Sequence, residues 1–118
     1  MKSLRVLVVE DEAAVALMIE DAVEASGHIV ARTATNIKDA MTAAALDDFD
    51  VALLDMNLNG QRAHALPVTL TARGKPFGFV TGYGEAGVLQ PFAHAPLLAK
   101  PFRARDIGEM LALLQSRL

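Results

Sequence analysis

Two kinds of hydrophobic pattern alternate along the chain. Leu4 to Val9 (LRVLVV) is a nearly unbroken apolar run, as in a parallel strand buried on both faces, and it stops abruptly at Glu10, Asp11 and Glu12. Val15, Met18, Ile19, Ala22 and Val23 then recur at helical spacing, and Gly27 stands where a left-handed residue commonly ends a helix. A second strand follows at His28 to Ala34. Asn36 is a good cap for a second helix marked by Ile37, Ala40, Met41, Ala44 and Ala45. Asp50 to Leu54 (DVALL) predicts a third buried strand running straight into Asp55. After the turn-prone stretch NLNGQ, the pattern places a helix mainly at Pro67 to Arg73, with proline suiting its first turn and Gly74 closing it. Pro76 to Val80 is a fourth strand and Leu97 to Ala99 a short fifth, before Lys100 and Pro101. Ile107, Met110, Leu111 and Leu114 line one face of a closing helix, and Met41 and Met110 both fit core faces.

Strands alternating with helices predict an α/β fold with a doubly wound, five-stranded parallel sheet. The alternation falters once. Tyr83 to Pro96, where a fourth helix is due, holds Gly84, Gly87, Pro91 and Pro96, and a short, irregular or mobile element is expected there.

Composition narrows the picture. A chain of 118 residues is one domain's worth, able to bury roughly two thirds of its unfolded surface. With 53% hydrophobic but only 5% aromatic residues, the core must be mostly Ala, Leu and Val. The net charge is −3 and the eleven Lys and Arg form no run, which argues against direct nucleic-acid binding. The absence of cysteine removes disulfides and thiolate metal sites, and the N-terminus lacks the apolar length of a signal or membrane segment. The expectation is a soluble, cytoplasmic, single-domain protein without contact to a membrane.

In an open parallel sheet, ligands bind beyond the carboxyl ends of the strands. Those ends carry Glu10 and Asp11, Asp55, Thr81 and Lys100, each terminating an apolar run. Carboxylates converging there repel one another by about 4 kcal/mol per pair at 4 Å and an effective dielectric near 20, so they need cations. Lys100 supplies one charge, and a hard divalent ion such as Mg²⁺ suits a site of few carboxylates, carbonyls and waters. With no Cys, and no His at a strand end, zinc is not indicated. A carboxylate beside Mg²⁺, a lysine and a threonine hydroxyl has what phosphoryl transfer requires, with Asp55 as candidate nucleophile. Gly82, next to Thr81, lets the backbone approach phosphoryl oxygens. Acids also favour a helix N-terminus, but that explains one acid better than two plus Glu12. The stretch FVTGYGEAG places Gly82, Gly84 and Gly87 in the G-x-G-x-x-G spacing of a dinucleotide loop. Pro91 and the acids ending the first strand weigh against that reading.

With VLVVEDE, LLDMN, FVTGY and AKPF in order at strand ends, the sequence resembles the receiver domains of bacterial two-component response regulators along essentially its whole length. The resemblance implies a flavodoxin-like (βα)5 fold in a phospho-accepting signalling domain rather than an enzyme, without a fused output domain. It implies that Asp55 accepts a phosphoryl group from a sensor histidine kinase or phosphotransfer protein. Mg²⁺ would be held by Asp11, Asp55 and the main-chain carbonyl of Asn57, with Glu10 helping through water; Asn57 and Gly82 would contribute backbone to the phosphoryl site. It further implies a cis peptide before Pro101 and a monomer or weak dimer. The switch aromatic usual three residues before the lysine is Leu97 here, and Tyr83 is a candidate partial substitute. The usual proline four residues after the phosphorylated aspartate is Asn59. With FVTGY and the broken fourth helix, NLNG resembles the alphaproteobacterial FATGUY-type subgroup, often partnered with kinases of the HWE type. His28, His64 and His94 are expected at solvated loops or strand edges. The alternative within phosphate chemistry is an aspartyl-phosphate hydrolase of haloacid-dehalogenase type, whose nucleophile usually ends the first strand and has a second aspartate two residues later.

Overall fold

The computed structural model describes residues 3–55, 57–58, 61–62, 65–82 and 94–118. The element order is β1 (Arg5–Val9), α1 (Ala13–Ala25), β2 (Ile29–Ala34), α2 (Ile37–Ala45), β3 (Val51–Leu54), β4 (Asn57–Leu58), β5 (Gln61–Arg62), α3 (Ala65–Ala72), β6 (Phe77–Thr81), β7 (Leu97–Ala99) and α4 (Ala104–Gln115). Five strands form one sheet in the order β2-β1-β3-β6-β7, every pairing parallel. The chain reverses its direction of travel across the sheet between β1 and β3, and that reversal is the switch point where a crevice opens beyond the strand ends.

Strand alternation divides the core. Val6, Val8, Val51 and Leu53 point to the face covered by α1 and α4, where they meet Ile19, Val23, Ile107, Leu111 and Leu114. Leu7, Val9, Ala52 and Leu54 point to the other face, against Ala40 and Ala44 of α2 and Leu66 and Leu70 of α3. Strands buried on both faces therefore read as continuous apolar runs. Aromatic volume is confined to a few places, among them Phe77 and Phe79, whose rings meet edge to face with centroids 5.7 Å apart.

Local signals set the element ends. Oδ1 of Asn36 accepts from the backbone N–H of Asp39 at 2.8 Å and caps α2. Gly27 and Gly74 take φ of +87° and +70° just past α1 and α3, a conformation open to glycine at little steric cost. Gly78 has a packing reason instead: a Cβ on it would lie 2.5 Å from Sδ of Met110.

Three details differ from the sequence pattern. Helix α3 begins at Ala65, two residues before Pro67. Met18, read as core-facing, is 51% exposed on α1. The polar stretch after Asp55 contains an antiparallel pair, β4 with β5, in register Asn57↔Arg62 and Leu58↔Gln61. Asn59-Gly60, between them in sequence, is the dipeptide that favours a two-residue hairpin connection. The short or irregular fourth helix expected from Tyr83 onward falls at 83–93, outside the described residues. Among the described residues, no helix is long and apolar enough to cross a membrane.

Removing the Asn36 cap is expected to cost about 1 kcal/mol. Asn36→Ala should lower the melting temperature by roughly 4–8 °C while Asn36→Asp leaves it within about 2 °C, read by thermal denaturation.

Candidate functional site

Glu10, Asp55, Thr81 and Lys100 each lie at or one position beyond the end of a strand and are still tied to the neighbouring strand. The N–H of Glu10 donates to the carbonyl of Ala34 at 3.0 Å, that of Asp55 to Val9 at 2.9 Å, and that of Lys100 to Thr81 at 3.1 Å. The sheet thus sets the backbone beneath each side chain before the side chains interact. Glu10, Asp55 and Thr81 are buried polar residues at this edge, while Asp11 and Lys100 are half-buried.

Lys100 joins them. Its Nζ lies 2.8 Å from Oε1 of Glu10, donates to Oδ2 of Asp55 at 3.2 Å, and stands 4.0 Å from Oε1 of Glu12. The approach to Glu10 is off hydrogen-bond geometry, so Oε1 is ion-paired without an aligned donor. Oε2 of Glu10 accepts from the N–H of Glu12 at 3.1 Å. Burial pushes the Glu10 carboxyl up to about 7, against the lowering influence of Lys100 and the Glu12 amide, with the charge of Asp55 adding to the rise. Burial pulls the Lys100 ammonium down, but the carboxylates of Glu10 and Asp55 outweigh it and hold it above its ordinary value.

Glu10, Asp11 and Asp55 each present an oxygen within 4.8 Å of the others. Three hard carboxylate donors, one of them with a buried oxygen lacking an aligned donor, fit a small divalent cation of the Mg²⁺ type. Asn57 lies on β4, two residues past Asp55. Gly82 follows β6 with open space where a Cβ would point. The Lys100–Pro101 peptide is cis. Leu97 packs against the core cluster shared by α2 and α3.

Other expected positions lie apart. Tyr83 and His64 fall outside the described residues, as do Gly84 and Gly87 of the G-x-G-x-x-G spacing. His28 sits at the opposite edge of the sheet, where its Nδ1 accepts from the N–H of Leu4 at 2.9 Å. His94 is exposed, and its carbonyl accepts from Arg117 at 3.3 Å. Sequence reading left Glu12 without a part in the site; its signal was the run of three acids after β1. An open cleft of about 270 Å³ lined by Val15, Met18, Lys100, Pro101 and Phe102 borders the site.

This fold and edge define a receiver-type α/β domain. The chain belongs to the family whose model is described as the response regulator receiver domain, which matches residues 6–112. It is similar to the solution structure of SdrG from Sphingomonas melonis Fr1, at 32% identity and a TM-score of 0.86 over 98% of this chain and 99% of that one. It is also similar to the receiver domain of the PhyR response regulator from Erythrobacter litoralis, at 29% identity and a TM-score of 0.83 over 98% and 92%. PhyR from Brucella abortus matches at 25% identity and a TM-score of 0.82, over 96% of this chain and 48% of that one. No curated protein gives a significant match in a sequence comparison.

The buried Glu10 carboxyl sets a pH dependence. Its folded value, about 7, lies above the ordinary 4.5, so the folded chain holds this proton longer than the unfolded chain. Its contribution to stability is complete below about 4.5 and is lost as pH rises through about 7. In the presence of a chelator, Glu10→Gln should therefore raise the melting temperature at pH 8 by about 4 °C or more and change it little near pH 5. An equal gain at both pH values would contradict a buried charge at this position.

Proposed function

We propose that the chain is a phosphorylation-controlled signalling module in which Asp55 accepts a phosphoryl group from a sensor histidine kinase or phosphotransfer protein. The observation that carries this reading is the placement of the Lys100 ammonium against both Asp55 and Glu10 at the carboxyl edge of a receiver-family sheet. In the transfer, an oxygen of Asp55 attacks phosphorus as the P–N bond to the donor histidine breaks, and the bonding electron pair leaves on the imidazole nitrogen. Lys100 is within reach to neutralise a phosphoryl oxygen carried on Asp55. The Thr81 hydroxyl, at the end of the adjacent strand, donates a hydrogen bond to another, and Gly82 leaves its backbone accessible. Glu10, Asp11 and Asp55, with the main-chain carbonyl of Asn57, would hold Mg²⁺. When bound, that ion supplies positive charge opposite the phosphoryl oxygens.

A phosphoryl group adds about −1.5 to −2 charges to an edge whose cation already serves two carboxylates. Its arrival draws Lys100 from Glu10 and changes the surface presented to protein partners. The exposed Leu17 and Met18 of α1 and the neighbouring Phe102 offer apolar area for such a partner. SdrG, which this chain resembles, has a solution structure in a BeF3-activated conformation, which supports a phosphoryl-responsive switch here. The FVTGY and NLNG motifs support a kinase of the HWE type as the donor.

Incubated with Mg²⁺ and a phosphorylated kinase, the protein should gain one acid-labile phosphoryl group by intact mass. Asp55→Asn should gain none, and Lys100→Ala should react about 100-fold more slowly. Equal labelling of Asp55→Asn would overturn the reading.

A further inference from the structure

Glu12 occupies the N-cap of α1, where a side-chain acceptor ordinarily satisfies the first unpaired N–H groups, yet its side chain makes no capping hydrogen bond. Its backbone carries the local role instead: the N–H donates to Glu10 and the carbonyl accepts from Ala16 at 2.9 Å. The carboxylate is left 66% exposed at the mouth of the site, 4.0 Å from the same Nζ that serves Glu10 and Asp55. The charge is favourable to the N-terminus of α1, but no hydrogen bond within the helix holds the carboxylate there. Among the described residues, the carboxylates of Glu10, Glu12 and Asp55 all lie within 4.0 Å of the Lys100 ammonium, and Asp11 lies beside Glu10 and Asp55.

We propose that Glu12 is a positioning residue that tunes which phosphoryl donors reach Asp55. It competes for Lys100 and repels an incoming donor in proportion to that donor's negative charge. The inference rests on Asp55 being the phosphoryl acceptor. Because Glu12 is exposed, its effect is modest, a factor of about two to five, and it is screened by salt over a Debye length of about 8 Å at physiological ionic strength. The residue thus biases the site against free small dianions.

The test uses the full chain at saturating Mg²⁺ and neutral pH, and compares two small donors of different charge. With acetyl phosphate, a dianion, the bond from Asp55 to phosphorus forms as the P–O bond to the acetyl group breaks and acetate leaves with the electron pair. With phosphoramidate, singly negative overall, the P–N bond breaks at an already protonated nitrogen and ammonia leaves. Glu12→Gln should speed the acetyl phosphate reaction about two- to five-fold and the phosphoramidate reaction less, so that the ratio of the two rates changes. The difference should vanish in concentrated salt, and Glu12→Asp should restore the wild-type ratio. Helix content by circular dichroism should be the same in all three proteins. An equal change with both donors, a change that survives high salt, or an Asp variant that behaves like the Gln variant overturns the proposal while leaving Asp55 as acceptor. Absence of any Asp55 adduct in the wild-type chain overturns the underlying reading, and this inference with it.

Discussion

Lys100 makes the carboxyl edge of this sheet tenable. A carboxylate with no exposed surface at Glu10, a nearly buried one at Asp55 and a third at Asp11 are brought together by strands that are apolar on both faces. Without a counter-charge such a cluster is expensive, because burial removes the water that would otherwise stabilise each ion. The ammonium at 2.8 Å from one and 3.2 Å from another offsets part of that cost. The offset is incomplete, which is why the Glu10 carboxyl remains raised to about 7. A site held in that state is predisposed to take up further positive charge, and a phosphoryl group bound there would compete for Lys100.

The sheet makes this balance possible by geometry. The order β2-β1-β3-β6-β7 puts the ends of β1 and β3 side by side, and β6 and β7 beyond them, so residues far apart in sequence meet at one edge. Lys100 and Asp55 are 45 positions apart, yet they are hydrogen-bonded. Each is positioned by a backbone hydrogen bond to the adjacent strand, so the side chains inherit the rigidity of the core. The apolar runs and the polar residues that end them are two parts of one design: the first orders the edge and the second supplies its chemistry.

Much of this was legible in the sequence because the signals are local. Continuous apolar runs ended by Glu10, Asp55 and Lys100 marked both the strands and the polar residues that gather at their carboxyl ends, and Asn36, Gly27 and Gly74 marked helix ends by their own conformational preferences. Periodicity could not supply the order of strands in the sheet, which is set by pairings between residues far apart in sequence. The hairpin of β4 and β5 was missed because two-residue strands are too short to show alternation, although Asn59-Gly60 was a readable turn signal. Met18 matched the helical spacing but lies beside Pro101 and Phe102 on an open cleft, a placement that depends on how α1 meets the loop before α4. The direction of the Glu12 side chain likewise depends on Lys100, 88 residues further along, and no local pattern encodes it.

The central claim is that Glu10, Asp55, Thr81 and Lys100 act together as one phosphoryl site. Its most direct test is an amide chemical-shift titration of the isotopically labelled chain with Mg²⁺ and then beryllofluoride, a phosphoryl mimic. The account predicts that the first and largest shifts fall at the ends of β1, β3, β6 and β7, and that Asp55→Asn abolishes the beryllofluoride step. Shifts centred on the opposite end of the sheet, around Arg5, Asp50 and Lys75, or a beryllofluoride response that persists in Asp55→Asn, would contradict it.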